Sequence, residues 1–258
     1  MTGSRIVLTR RALLTGAASA AGLALTGCTE RLPPTYGNVL RMSDNLSYVA
    51  HRLLIPRHAL AKEYGRGDVT SFPAIGTTNP ADPAGESFSK TLGPEFSRLM
   101  HGDFADYRLQ IDGHVARPGS YSLADLKRFA PRTQITKHTC EEGWSAIGEW
   151  TGTPLARVLV ACGALPGARF VNFHTFDDWD DSIDMVDALH PQTILAWGMN
   201  GRDLPLGHGA PLRLRVETQL GYKSLKFLQR MTVTQEFFDP APEKQATFSG
   251  GWAWYAGI

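Results

Sequence analysis

The sequence predicts a mixed α+β domain, on three observations. Its strand signals are short and alternate apolar with polar residues, most strictly at Leu212, Leu214 and Val216 against Arg213 and Arg215. Its helix signals are few and short. The two kinds also fail to alternate in the strand–helix–strand order that builds a doubly wound sheet.

In chain order, Tyr107, Leu109 and Ile111 alternate as a half-buried strand that ends near Arg117-Pro118-Gly119. Ser122 and Asp125 form a capping box opening a short helix through Phe129. A strand is predicted over 134–140. A helix follows over 153–162, with Thr153 as N-cap, Pro154 in the first helical position and Gly163 as C-cap. Its buried stripe is Leu155, Val158, Leu159 and Cys162, so Cys162 reads as a small core residue.

Further strands are predicted over 170–175, 193–197, 211–217 and 227–234. A short helix over 184–190 stops at Pro191, and Asn200-Gly201 suits a hairpin turn. The acidic run Asp177-Asp178-Trp179-Asp180-Asp181 lacks the spacing of a calcium loop and is expected to be a solvated loop. The aromatic tail Trp252-Ala253-Trp254-Tyr255 is expected to pack on the body. Residues 29–105 are Pro- and Gly-rich and are expected to be mostly loop wrapped over domain 106–258, with helical patterning over 46–61 interrupted at Pro56.

The 258 residues are 43% hydrophobic and 10% aromatic, enough to bury a core, and the net charge of +1 gives no basic stripe for nucleic acid. Residues 1–28 carry a distinct message. Arg10-Arg11 precede a mildly apolar stretch, 12–27, too short to span a bilayer core of roughly 30 Å. This is the layout of a signal peptide, and the arginine pair predicts the twin-arginine export route. Leu25-Thr26-Gly27-Cys28 matches a lipobox, so Cys28 is expected to carry a lipid anchor on the periplasmic side of a bacterial membrane.

With Cys162 in the core, Cys140 needs its own account. It sits in His138-Thr139-Cys140-Glu141-Glu142-Gly143-Trp144, at the end of a predicted strand. A buried structural thiol, a nucleophile beside His138, a zinc ligand, and a single thiolate ligand to a metal already held by a cofactor are all open. The last needs an anion-binding apparatus elsewhere. Gly207, His208, Gly209 and Arg213, followed by Gly221-Tyr222-Lys223-Ser224-Leu225-Lys226, offer glycines for close backbone approach, a planar guanidinium and two ammonium groups; an exposed hairpin with solvated cations is the plainer reading.

These motifs together, in this order, resemble the molybdopterin-dependent sulfite oxidase family, and within it the exported YedY-like branch of methionine-sulfoxide reductase catalytic subunits. The likeness covers roughly residues 105–258. It implies a mixed-sheet molybdopterin-binding domain in which Cys140 bonds molybdenum. It implies that Thr175, His208, Arg213, Lys226 and its neighbours Lys223 and Ser224 hold the pterin and its phosphate. Glu142 falls where the branch places an acid beside the metal, and Trp144 where it places an aromatic. The family's N-terminal asparagine contact has no clear counterpart; the nearest stretch runs from Phe72 to Asn79.

The resemblance implies oxygen-atom transfer, reducing S-oxides such as methionine sulfoxide with electrons from an external haem donor, either a membrane haem protein or a periplasmic cytochrome. Sulfite oxidation is the alternative, and would call for extra arginines such as Arg66 or Arg108 near the metal. A non-enzymatic lipoprotein module and a cysteine hydrolase are rivals of other classes. Without the family's additional dimerisation domain, a monomer is expected.

Overall fold

The computed structural model describes residues 39–74, 86–237, 245–246 and 252–258. The signal segment, the lipobox with Cys28, and Asn79 lie outside these residues.

Two sheets organise the body. The first has the order β11-β6-β5-β10-β1-β2, with β1 Arg108–Gly113, β2 Gly119–Ser122, β5 Phe170–Thr175, β6 Trp179–Asp184, β10 Leu228–Thr234 and β11 Gln245–Ala246. It is mixed: β1 runs parallel to β10, and β11 to β6, while the other pairs are antiparallel. The second is antiparallel, in the order β3-β4-β7-β8, and comprises β3 Arg132–Thr139, β4 Ser145–Pro154, β7 Ile194–Met199 and β8 Arg202–Asp203; β9 Arg213–Arg215 pairs with β7. The core between the layers gathers Leu109, Ile111, Leu155, Leu159, Cys162, Phe173, Leu195, Leu212, Leu214 and Met231. This is the expected α+β class.

Five helices complete the described residues: α1 Val39–Leu54, α2 Glu86–His101, α3 Leu123–Lys127, α4 Leu155–Cys162 and α5 Met185–Ala188. The capping box forms as expected, with Ser122 Oγ accepting from the Asp125 amide at 3.0 Å and Asp125 accepting from the Ser122 amide at 3.0 Å. Gly163 closes α4 in the left-handed region at φ 69°. Thr153, however, is not the cap of α4. Its hydroxyl donates to the Leu126 carbonyl at 2.7 Å, and Pro154 takes the N-cap position. Both Cys140 and Cys162 are free and buried.

Three expectations need correction. The described part of residues 29–105 carries a sixteen-residue helix, Val39–Leu54, and a helical span, Glu86–His101, interrupted at Gly93, whose φ of 81° is not helical, just before Pro94. The acidic run is not a solvated loop: Asp180 and Asp181 lie in β6 and are buried. Burial there is tolerated because Lys223 and His174 partner them. Finally, β4 went unpredicted, since Gly148, Glu149 and Gly152 break the alternation that marks a strand. Gly152 is nonetheless required, because a Cβ there would meet the Leu195 carbonyl oxygen at 2.4 Å.

The aromatic tail packs as expected. Trp254 and Tyr255 are buried against Tyr48 of α1 and Phe170 of β5.

Candidate functional site

The β3–β4 hairpin places Cys140 at its turn. The Cys140 amide donates to the Trp144 carbonyl at 2.9 Å, and the Gly143 amide returns to the Cys140 carbonyl at 3.2 Å. Gly143 sits at φ 90°, so the turn closes only with a residue that tolerates the left-handed region. The thiol donates to Glu141 Oε2 at 3.4 Å. Burial first, and then Glu141, push this thiol up to about 11. Without a cationic partner it is a protonated, inert sulfur.

Cys140 lines a cavity of about 390 Å³ together with His138, Glu142, His208, Arg213, Ser224 and Lys226. Six expected site residues therefore meet at one place, drawn from the β3–β4 turn, β9 and the loops on either side of it. Phe72 and Pro73 of the N-terminal segment, Asp177, Trp179 and Tyr222 complete the wall.

The cavity floor is cationic and held from behind. Arg213 is buried; its Nη1 donates to the His208 carbonyl at 3.0 Å and its Nη2 to the Ser224 carbonyl at 2.7 Å. Its guanidinium stacks over Trp150 at 5.0 Å. Lys226 Nζ donates to the Gly207 carbonyl at 2.8 Å. Burial, and then neighbouring Arg215, push Arg213 well below its usual range; an arginine holds its proton, so an anion is what relieves this cost. Burial and Arg213 lower Lys226 to about 7 and His208 to about 4. Two buried atoms of this floor, His208 Nδ1 and Arg213 Nε, have no hydrogen-bond partner among the described residues. A phosphate-bearing ligand would satisfy both charge and donors. The residues present fit such a group.

His138 is the residue that sequence reasoning undervalued. Arg215 Nη1 donates to its Nδ1 at 2.8 Å, while Glu217 grips the rest of that guanidinium at 3.0 Å and 2.6 Å. The ring is thereby fixed as the neutral tautomer with its proton on Nε2. Burial, then Arg215, lower it to about 2, so it stays neutral at all physiological pH. It packs against Phe72 at 5.1 Å and Trp144 at 5.5 Å. Gly221 must be glycine here: a Cβ would stand 2.3 Å from His138 Nε2. The signal available was His138 sharing a strand face with Cys140, but its orienting partner is 77 positions away.

Three expected features do not line this cavity. Lys223 turns away from the cavity; its ammonium is buried and donates to Asp181 at 2.6 Å and to the Ser182 and Trp254 carbonyls at 2.8 Å each. It ties β6 to the C-terminal tail. Thr175 is not in the wall either. Its hydroxyl donates to Asp177 and to the Trp179 carbonyl at 2.8 Å, and so shapes the turn that carries two wall residues. Gly207 and Gly209 are not in the wall either, and their missing side chains admit other parts of the chain: Cβ atoms there would meet Ala74 at 2.9 Å and Lys226 Cβ at 2.7 Å. Glu142 is exposed at the rim, accepting from the Trp144 indole at 3.0 Å.

The oxidoreductase molybdopterin-binding domain model matches residues 98–240. The chain belongs to that family. It is a molybdopterin-dependent oxidoreductase of the sulfite oxidase family, in its YedY-like branch. Over 96% of its length it is 33% identical to a chain of Azospira oryzae named as protein-methionine-sulfoxide reductase subunit YedZ1, covering 87% of that protein. It is 30% identical, again over 96% of its length, to the protein-methionine-sulfoxide reductase catalytic subunit MsrP of Xanthomonas axonopodis pv. citri, covering 79% of that chain. Among solved structures, the sulfane dehydrogenase SoxCD of Paracoccus pantotrophus aligns with TM-score 0.48 and 26% identity, over 51% of this chain and 39% of that one.

The two lysines of the family's loop now separate experimentally. A lysine lowered to about 7 must take up a proton when an anion binds above that pH. Affinity of the cofactor-free chain for inorganic sulfate, which carries the same charge throughout, is therefore flat below pH 7 and falls by up to about tenfold per unit above it. Lys226→Met removes that slope, whereas Lys223→Met keeps it and lowers Tm. Calorimetric titration from pH 6 to 9 reads both; a slope that survives Lys226→Met refutes the assignment.

Proposed function

We propose that this oxidoreductase reduces S-oxides, methionine sulfoxide of proteins included, with electrons from an external haem donor. The carrying observation is the polarity of the cavity. Its cations Arg213 and Lys226 lie on the floor with His208, whereas the charged groups near Cys140 are the acids Glu141 and Glu142, with Asp177 also in the wall. A neutral sulfoxide enters such a mouth freely, while a sulfite dianion is repelled. Neither arginine that sulfite would need lines the wall: Arg66 pairs with Glu149 at 3.1 Å, and Arg108 donates to the Tyr107 carbonyl at 2.8 Å. The names of the YedZ1 and MsrP relatives support the same direction.

His208, Arg213, Ser224 and Lys226 would hold the pterin phosphate, and Cys140 would be the protein's ligand to molybdenum. The cofactor, when bound, supplies oxygen-atom transfer coupled to two electrons. The chain supplies position and protons. Cys140 must lose its proton to bind metal, and Glu141, already its acceptor, is placed to take it. Removing oxygen from a sulfoxide as water consumes two protons, and Glu142 stands at the solvent rim to pass them inward. Phe72 and Trp144 cover His138 and keep that wall dry.

Export by the twin-arginine route, anchoring at Cys28, a membrane haem protein or periplasmic cytochrome as donor, and a monomeric state complete the reading; Arg10-Arg11 and the lipobox support the first two. A paired assay on molybdenum-loaded protein tests it. Reduced-dye oxidation with methionine sulfoxide should greatly exceed ferricyanide reduction with sulfite. The opposite ranking would make the enzyme a sulfite dehydrogenase.

A further inference from the structure

Helix α1 is mounted inside out. Its polar side faces the protein: Tyr48 donates to Asp184 at 2.7 Å, and Arg52 reaches Asp184 and Asp187 at 3.1 Å and 2.7 Å. Asn45 accepts from the Trp254 indole at 2.8 Å, and His51 meets the Tyr255 hydroxyl at 3.3 Å. At 100° per residue, Met42, Leu46 and Leu53 fall within about 40° of one another on the other side. They are 57%, 55% and 82% exposed. Leu54, 77% exposed, and Ile55 and Leu60, also exposed, extend the apolar surface beyond the helix end. An amphipathic helix normally buries this stripe and shows water its polar face.

We propose that the outer face of α1, continued through Leu54, Ile55 and Leu60, lies on the surface of a lipid bilayer. Two observations on the chain choose that occupant. Only residues 29–38 separate α1 from Cys28, a tether of roughly 33–36 Å at full stretch, so an acylated Cys28 would hold the helix at the membrane. Residues 45–62 contain no carboxylate, and Arg57 and Lys62 stand exposed beside the apolar residues, as an anionic headgroup layer favours. The inference rests on the anchored reading for the tether alone; the face itself is a property of the fold.

The test removes the anchor. The cofactor-loaded mature chain carrying Cys28→Ser is sedimented with vesicles of phosphatidylethanolamine and phosphatidylglycerol. It should bind, and the triple variant Met42→Gln, Leu46→Gln, Leu53→Gln should partition at least about tenfold more weakly. Val160→Gln, at a residue 73% exposed on α4, should leave binding unchanged. Leu53→Gln alone, at the most exposed position, keeps the test valid should the triple variant fail to fold. Vesicle binding absent from the Cys28→Ser chain, or undiminished in the variants, overturns the proposal. So does a dimer in light scattering that the triple variant dissociates, because the face would then belong to a second copy. Loss of sulfoxide activity with partitioning intact would sink the catalytic reading and leave this one standing.

Discussion

Cys140→Ser is expected to lower turnover of loaded enzyme by at least about a hundredfold, with little change in Tm. The side chain is nearly isosteric, and the turn around it is built by backbone bonds from Trp144 and Gly143 that serine preserves. What changes is the donor atom. A hard, weakly acidic hydroxyl replaces the soft thiolate that suits a transition metal. Loss of a metal's direct ligand exceeds the roughly 10–100-fold effects of altering an outer-shell partner. Pterin should remain, since Arg213, His208 and Lys226 are untouched, so pterin fluorescence and molybdenum content must be measured beside activity. Activity preserved in the serine variant would refute the role given to Cys140.

The largest stability effect is expected from Glu217→Leu. Arg215 and Glu217 are both almost fully buried and bonded at 2.6 Å, and Gln134 donates to the same carboxylate at 3.0 Å. Deleting the carboxylate leaves a guanidinium in the interior beside Arg213, with His138 and the Trp150 face, at 4.5 Å, as its remaining partners among the described residues. Breaking such a pair from one side costs about 3–5 kcal/mol, on the order of 10 °C in Tm for a domain of this size. Adding Arg215→Met should restore most of it, because the penalty is the unpaired charge. A single variant that melts with wild type would show that the pair contributes nothing.

Several elements are legible in the sequence. The capping box at Ser122 and the left-handed Gly163 rest on contacts within a few residues, and the core stripe ending at Cys162 and the strand at Phe170–Thr175 show as local runs of apolar residues, although the strand's partners in Leu228–Thr234 lie far along the chain. Others are not. Glu86–His101 has a glycine and a proline in mid-span, so its periodicity is hard to read as helix; the chain does break at Gly93, at a non-helical φ of 81°, with helical turns on either side and Leu92, Phe96 and Leu99 buried. Arg213 and Arg215 alternate with the leucines as an exposed face would, yet both are interior. The strand period tells which residues share a side, not whether that side meets water or a cation-holding cavity.

The sequence by itself determined the class of the fold, the thiol that stands apart from the core, and the cluster of glycines, arginine and lysines that pairs with it. Tertiary structure decided which lysine serves the cavity. Lys223 and Lys226 are indistinguishable by composition, and only the 3-10 turn Gly221–Lys223, which ends on the first of them, with Asp181 on one side and the Gly207 carbonyl on the other, sends their ammonium groups in different directions. It likewise made His138 a neutral, fixed donor through a partner far along the chain. Local propensities are short-ranged, whereas charge and burial are settled by whatever the folded chain brings within a few ångströms.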